Sequence, residues 1–283
     1  MRLETSGHHL ISYISYLTSH ISYLTSLEMN RLQQLFEKQQ KGLLSIYYTA
    51  GYPGLDNTLK IAATLEQCGA DFLEIGFPYS DPVADGPIIQ ASSKEALDNG
   101  MTLHLLFEQL KDLRQKVTIP ILLMGYVNVV LQYGVEEFCQ KCQEVGVDGC
   151  IIPDLPMYEY EEMYRTTFEK YGISNIFLVT PQTSEERIRK IDGLSNAFIY
   201  LVSSAATTGG NLSVSEGATA YFKRVSDMQL KNPFIIGFGI SNKETFDAAN
   251  QYASGAIVGS AFVKNIDTNN LEGSIKEFMK QFR

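Results

Sequence analysis

Eight short runs that are apolar on both faces alternate with segments of helical periodicity along a chain of 283 residues. No Pro/Ser-rich linker interrupts them. Together these features predict one α/β domain, a (β/α)8 TIM barrel with an extra helix ahead of its first strand. The runs span 43–48, 72–75, 119–124, 149–152, 175–179, 197–202, 234–237 and 256–258. Strands apolar on both faces belong to parallel sheets, whose crossover helices cover each side. Of the intervening segments, 102–113 shows the clearest helical period, and the pairs Thr183-x-x-Glu186 and Ser241-x-x-Glu244 mark two helix starts. Gly69-Ala-Asp-Phe-Leu-Glu-Ile, Gly146-Val-Asp-Gly-Cys-Ile-Ile and Ala253-Ser-Gly-Ala-Ile-Val form a weak internal echo, each a turn leading into an apolar strand. A doubly wound open sheet is the alternative. It calls for G-x-G-x-x-G after the first strand, where this chain has Thr49-Ala-Gly-Tyr-Pro-Gly54.

The first 28 residues stand apart. Ile-Ser-Tyr-Leu-Thr-Ser occurs at 14–19 and again at 21–26, near two adjacent histidines, outside the alternation that follows. This reads as an expression leader or scar, with Met29 opening a barrel domain over 29–283. Basic residues are nearly absent there, which argues against an amphipathic membrane anchor. The net charge of −9 leaves no electrostatic footprint for nucleic acid or an anionic membrane. Four cysteines, Cys68, Cys139, Cys142 and Cys150, form no dense framework, so a reducing, cytoplasmic compartment fits. Cys139-x-x-Cys142 lies in a helical segment, no second Cys/His pair completes a metal site, and simple helix packing is the expectation.

The segment 73–87, Leu-Glu-Ile-Gly-Phe-Pro-Tyr-Ser-Asp-Pro-Val-Ala-Asp-Gly-Pro, carries the sharpest chemistry. Glu74 falls inside a buried strand, where a carboxylate is costly without a partner or a task. Asp81 and Asp85 follow in the loop, and a stiff loop can turn Asp85 back toward Glu74 as a two-carboxylate acid–base site. Barrel active sites gather at the C-terminal ends of the strands. That rim collects Glu74, Asp85, Tyr126, Asn128, Asp154, Tyr200 and the loop 203–210. The turns Gly237-Phe-Gly239-Ile-Ser241 and Gly259-Ser260 follow the seventh and eighth strands, the usual phosphate seat of this fold, where backbone amides serve an acidic protein without a lysine cluster. No His/Glu cluster offers a metal site. Outside the leader the one histidine is His104, on a helix. Lys264, after the last strand, is expected on a helix and pointing away from the site.

In order along the chain, Thr49-x-Gly51, the segment 73–87, Tyr126-x-Asn128, Pro153-Asp154-Leu155-Pro156, Thr208-Gly209, Gly237-Phe-Gly-Ile-Ser241 and Gly259-Ser260 resemble the tryptophan synthase alpha chain family from Met29 to the C-terminus. The resemblance implies a lyase that cleaves indole-3-glycerol phosphate to indole and glyceraldehyde 3-phosphate by a retro-aldol reaction, with the indole ring as electron sink. It implies Glu74 as general acid–base, Asp85 on the indole N–H, and Tyr200 placing Glu74. Thr208 would close a loop over Asp85, and Tyr47, Thr49, Tyr126 and Phe238 would line the substrate pocket. Gly209, Gly237, Gly239, Gly259 and Ser260 would cradle the phosphate. Asp81, Pro82, Asn128 and Asp154 would face a beta chain in a heterotetramer of two alpha and two beta chains. No cofactor is implied in this chain, since pyridoxal phosphate belongs to the beta partner.

Two departures from the family pattern stand out. The loop after the sixth strand reads Val-Ser-Ser-Ala-Ala-Thr-Thr-Gly, where the family often has Leu-Ser-Arg-x-Gly-x-Thr-Gly, and a residue is added near Met124-Gly125-Tyr126. Other phosphate-binding barrels, such as a phosphoribosyl isomerase or indole-glycerol-phosphate synthase, are the enzyme alternatives. The latter uses a strand lysine, which no run here contains. A non-catalytic barrel subunit regulating a beta partner is the alternative of another class, against which the Glu74/Asp85 pair stands.

Overall fold

A computed structural model describes residues 29–202, 216–237 and 239–283. Residues 1–28, read above as a leader, and Thr208, Gly209 and Phe238 lie outside these described residues. All strand pairings described are parallel, in the order β5-β4-β3-β2-β1-β9-β8-β7-β6. The strands are β1 (Leu43–Thr49), β2 (Phe72–Gly76), β3 (Ile121–Met124), β4 (Gly149–Ile151), β5 (Ser174–Ile176), β6 (Leu178–Val179), β7 (Ile199–Val202), β8 (Phe234–Gly237) and β9 (Gly255–Val258).

Nine strands appear among the described residues where eight runs were expected, because the fifth run changes partners within itself. β5 pairs with β4 and β6 pairs with β7, with only Phe177 between them. The Phe177 carbonyl accepts from the Tyr200 amide at 2.9 Å. The two ends of the strand order are therefore joined by the chain itself, and the barrel closes there. Both anticipated helix starts sit one residue later than read. Ser184 caps the helix Glu185–Leu194 by accepting from the Arg187 amide, and Asn242 caps Lys243–Tyr252 in a reciprocal box with Thr245. At Asn242 a short amide, an excellent cap, takes the position the sequence pattern had given to Ser241.

The extra N-terminal helix, Arg31–Lys38, forms the barrel floor. Its buried face, Leu32 and Phe36, packs into the interior, where the Phe36 ring lies 6.3 Å from Phe72 and 5.3 Å from Phe198. Asp148, ahead of β4 and 1 % exposed, ties this floor to the barrel. Its carboxylate accepts from the Arg31 amide at 3.3 Å, from the Arg31 guanidinium at 3.2 Å, from Arg114 at 2.7 Å and from the Ile121 amide at 2.9 Å. The helices form a second apolar layer around the strands. In it Cys139 and Cys142, on the inner face of Val135–Val145, are buried and free, as is Cys150 on β4. The His104 and Tyr133 rings meet at a tilt, with centroids 4.4 Å apart. Among the described residues no helix is long and apolar enough to cross a membrane.

With the floor sealed, the interior opens toward the C-terminal ends of the strands. Removing one partner of a buried ion pair leaves the other charge uncompensated, so Asp148→Ala, which strands Arg114, is expected to lower the unfolding free energy by about 3–5 kcal/mol in urea titration. Arg31→Ala, at the exposed end of the network, is expected to cost about 1 kcal/mol or less.

Candidate active site

Glu74 projects into the barrel from the middle of β2, in register with Tyr47 of β1 and Leu122 of β3. It is 0 % exposed, and neither carboxyl oxygen has a hydrogen-bonding partner among the described residues. Burial pushes its pKa up from 4.5 to about 8. An unpartnered carboxyl in an apolar interior keeps its proton because the charged form loses its hydration and gains nothing in return. The phenols of Tyr47 and Tyr200 are raised first by the same burial, and the nearby carboxyl groups raise them further. Two glycines make room for these rings. A Cβ on Gly76 would lie 2.2 Å from the Tyr47 hydroxyl, and one on Gly237 would lie 2.0 Å from the Tyr200 hydroxyl. Any larger residue there would drive a tyrosine off the carboxyl it flanks.

Asp85, in the loop after β2, shares the cavity with Glu74 but has a different environment. Burial raises its pKa, and a hydrogen bond from the Tyr126 hydroxyl at 2.9 Å opposes part of that rise. The same hydroxyl accepts from the Ala84 amide at 3.0 Å. Tyr126 stacks on Tyr79 at 5.2 Å, and the Tyr79 hydroxyl accepts from the Asn128 amide group at 3.2 Å. Next to them, Asp154 accepts from the Val127 amide at 2.8 Å. Asp81, Asn128 and Asp154 are exposed and Pro82 is half-buried; Asp81 and Pro82 lie in the loop after β2, Asn128 in the helix Val127–Tyr133 after β3, and Asp154 in the loop after β4. Val83, in the loop after β2, and Tyr158, in the short helix Met157–Glu159 after β4, are large apolar side chains 81 % and 68 % exposed.

The cavity has a volume of about 310 Å³, at the small end of ligand sites. Its walls combine Tyr47, Glu74, Asp85, Tyr200, Gly259, Ser260 and the turn residues Gly239, Ile240 and Ser241, all within stretches read from the sequence, with Ile88, Ile89, Met124, Ile257, Ala261, Lys264 and Asn265, which were not assigned to the site. Ile257 was within reach of pattern reasoning, since it alternates inward on β9. Lys264 was expected to point away but lines the cavity. Two of the anticipated residues fall behind the wall. Gly237 lies beneath Tyr200 rather than on the cavity surface. Thr49 is buried, its hydroxyl sharing a 2.7 Å hydrogen bond with Ser92 on the helix Pro87–Asp98, which carries Ile88 and Ile89. Tyr126 acts on the site through Asp85. Among the described residues no group of three or more His, Cys, Asp or Glu side chains could hold a metal.

This arrangement suits proton transfer to and from carbon. A neutral carboxylic acid faces an apolar space, and a second carboxyl nearby can accept an N–H. Because the folded state raises the Glu74 pKa, its contribution to stability is fully present below 4.5 and is lost as pH rises toward about 8. Glu74→Gln is therefore expected to stabilise the protein, with a gain that grows from pH 5 to about 8 and then levels, followed by chemical denaturation across that range.

The family model described as tryptophan synthase alpha chain matches residues 32–282. The tryptophan synthase alpha chain of Flavobacterium psychrophilum is 59% identical over 253 residues, covering 89% of this chain and 99% of that protein. That of Christiangramia forsetii is 58% identical over 255 residues, covering 90% and 99%. The crystal structure of tryptophan synthase subunit alpha from Legionella pneumophila superposes with a TM-score of 0.80 at 33% identity, covering 90% of this chain and 98% of that one. With a family model matching nearly the whole barrel and relatives 59% and 58% identical along it, the chain belongs to the tryptophan synthase alpha chain family.

Proposed function

We propose that this chain catalyses the alpha reaction of tryptophan synthase, the retro-aldol cleavage of indole-3-glycerol phosphate to indole and glyceraldehyde 3-phosphate in tryptophan biosynthesis. The observation that carries the mechanism is Glu74, a carboxyl without a hydrogen-bonding partner among the described residues whose pKa is pushed up to about 8. Glu74 begins protonated and gives its proton to C3 of the indole ring. The ring nitrogen becomes cationic, and Asp85, accepting its N–H, stabilises that charge as it develops. Glu74, now a carboxylate, takes the proton of the side-chain hydroxyl. The bond from C3 to the hydroxyl-bearing carbon breaks, its electron pair returns to the ring, and the carbonyl of the aldehyde forms. Glu74 ends as it began, so the cycle needs no net proton.

The remaining roles follow from position. Tyr47 and Tyr200 pack beside Glu74 and, with Ile88, Ile89 and Met124, supply apolar surface for the ring. Gly239, Gly259 and Ser260 present backbone amides to the phosphate. By the family resemblance Gly209 would join that cradle, Phe238 would line the indole pocket, and Thr208 would close a loop over Asp85. Acid–base chemistry by carboxyl groups needs no cofactor in this chain; pyridoxal phosphate serves the beta chain. The surface formed by Asp81, Pro82, Asn128 and Asp154, with Val83 and Tyr158, is the one we assign to the beta chain in the heterotetramer. The path Asn128–Tyr79–Tyr126–Asp85 leads from that surface to the site. A cytoplasmic enzyme is in keeping with free, buried cysteines.

The test is direct. The chain is incubated with indole-3-glycerol phosphate, with and without a beta chain, and indole release is measured. Glu74→Gln is expected to lose activity by about 10²–10⁴-fold, the usual worth of a positioned acid–base group. The wild-type rate is expected to fall as pH rises above about 8, as Glu74 loses the proton it must donate. Activity unaffected by Glu74→Gln would refute the mechanism. Tyr126→Phe, which removes one hydrogen bond to Asp85, is expected to lower kcat by roughly fivefold, the equivalent of about 1 kcal/mol.

A further inference from the structure

We infer that Lys264 is the cation that recognises the phosphate end of the substrate, beyond the backbone amides of the glycine turns; this rests on the phosphorylated substrate proposed above. Lys264 lies in the helix Ser260–Asn265, directly after β9, and is one of the residues lining the cavity that holds Glu74 and Asp85. Three charge-bearing side chains face that cavity among the described residues, and two of them are acids. A phosphate dianion entering it therefore meets two carboxyl groups in a chain of net charge −9. Backbone amides offer dipoles but no net charge, so Lys264 is the side chain there that can balance the ligand.

Its position on the helix supports the assignment. Ser260 and Lys264 are four residues apart in that helix, which puts them on one helical face. Asn265 is already engaged, its amide donating to the Ala261 carbonyl at 2.7 Å. Lys60, Lys94, Lys243 and Lys276 each sit in an ion pair with a carboxylate. The Lys264 ammonium has no ion pair or hydrogen bond among the described residues, and the side chain is exposed, so it meets a ligand with its charge unspent. The phosphate is remote from the carbon that reacts, so the contact is equally strong in ground and transition states. Such binding acts on KM and leaves kcat alone.

The experiment uses the full chain as wild type, Lys264→Met and Lys264→Arg. Glycerol 3-phosphate and inorganic phosphate are titrated by calorimetry, and KM and kcat are measured on indole-3-glycerol phosphate. Loss of a charge-assisted hydrogen bond predicts that Lys264→Met weakens glycerol 3-phosphate binding and raises KM by about tenfold, with kcat within about twofold. Lys264→Arg is expected to stay within about threefold of wild type, because the charge is kept. Indole, which has no phosphate, is expected to bind all three proteins equally. Unchanged glycerol 3-phosphate affinity in Lys264→Met overturns the inference, as does a fall in kcat at constant KM. A wild-type chain that binds glycerol 3-phosphate through Lys264 yet releases no indole would overturn the proposed reaction and leave this assignment standing.

Discussion

Glu74 sits at 0 % exposure with neither oxygen bonded to a described residue, and ionising a carboxyl in such a place costs several kcal/mol that nothing nearby repays. The side chain is held as the neutral acid instead. Much of the barrel can be understood as keeping that site apolar. The floor helix closes one end with Phe36, Phe72 and Phe198. Gly76 and Gly237 give up their side chains so that Tyr47 and Tyr200 can lie beside the carboxyl. Isoleucines from the helix after β2 and from β9 line the mouth.

Asp85 shows what the same cavity does when one partner is added. Burial raises its pKa as well, but the Tyr126 hydroxyl donates to it and favours the charged form. Two carboxyl groups in one cavity thereby sit in different environments, the difference on which the proposed donor and acceptor roles rest. Tyr126 is itself fixed by the Ala84 amide and by stacking on Tyr79, so the environment of Asp85 depends on the loop after β2.

The strands and Glu74 were legible in the sequence because both are local. A parallel strand announces itself by apolar residues on both faces, and a glutamate inside one has no innocent explanation that costs nothing. The division of the fifth run was not legible, since it comes from a change of neighbours at Phe177 that only the closed barrel imposes. Gly237 was read as a phosphate turn, yet the same residue type serves equally to seat a ring, and nothing in a single sequence separates the two uses. Lys264 was misjudged because the direction of a six-residue helix after β9 depends on how it packs on the helix Pro87–Asp98 and not on its own pattern.

The claim on which all of this turns is that Glu74 is a neutral acid at the pH where the enzyme works. Infrared difference spectroscopy of the wild-type chain against Glu74→Gln, titrated from pH 5 to 10, reads that proton directly. The account predicts a carboxylic-acid carbonyl band present at pH 7, absent from Glu74→Gln, and replaced by carboxylate absorption with a midpoint near 8. A Glu74 already ionised at pH 6 would contradict it.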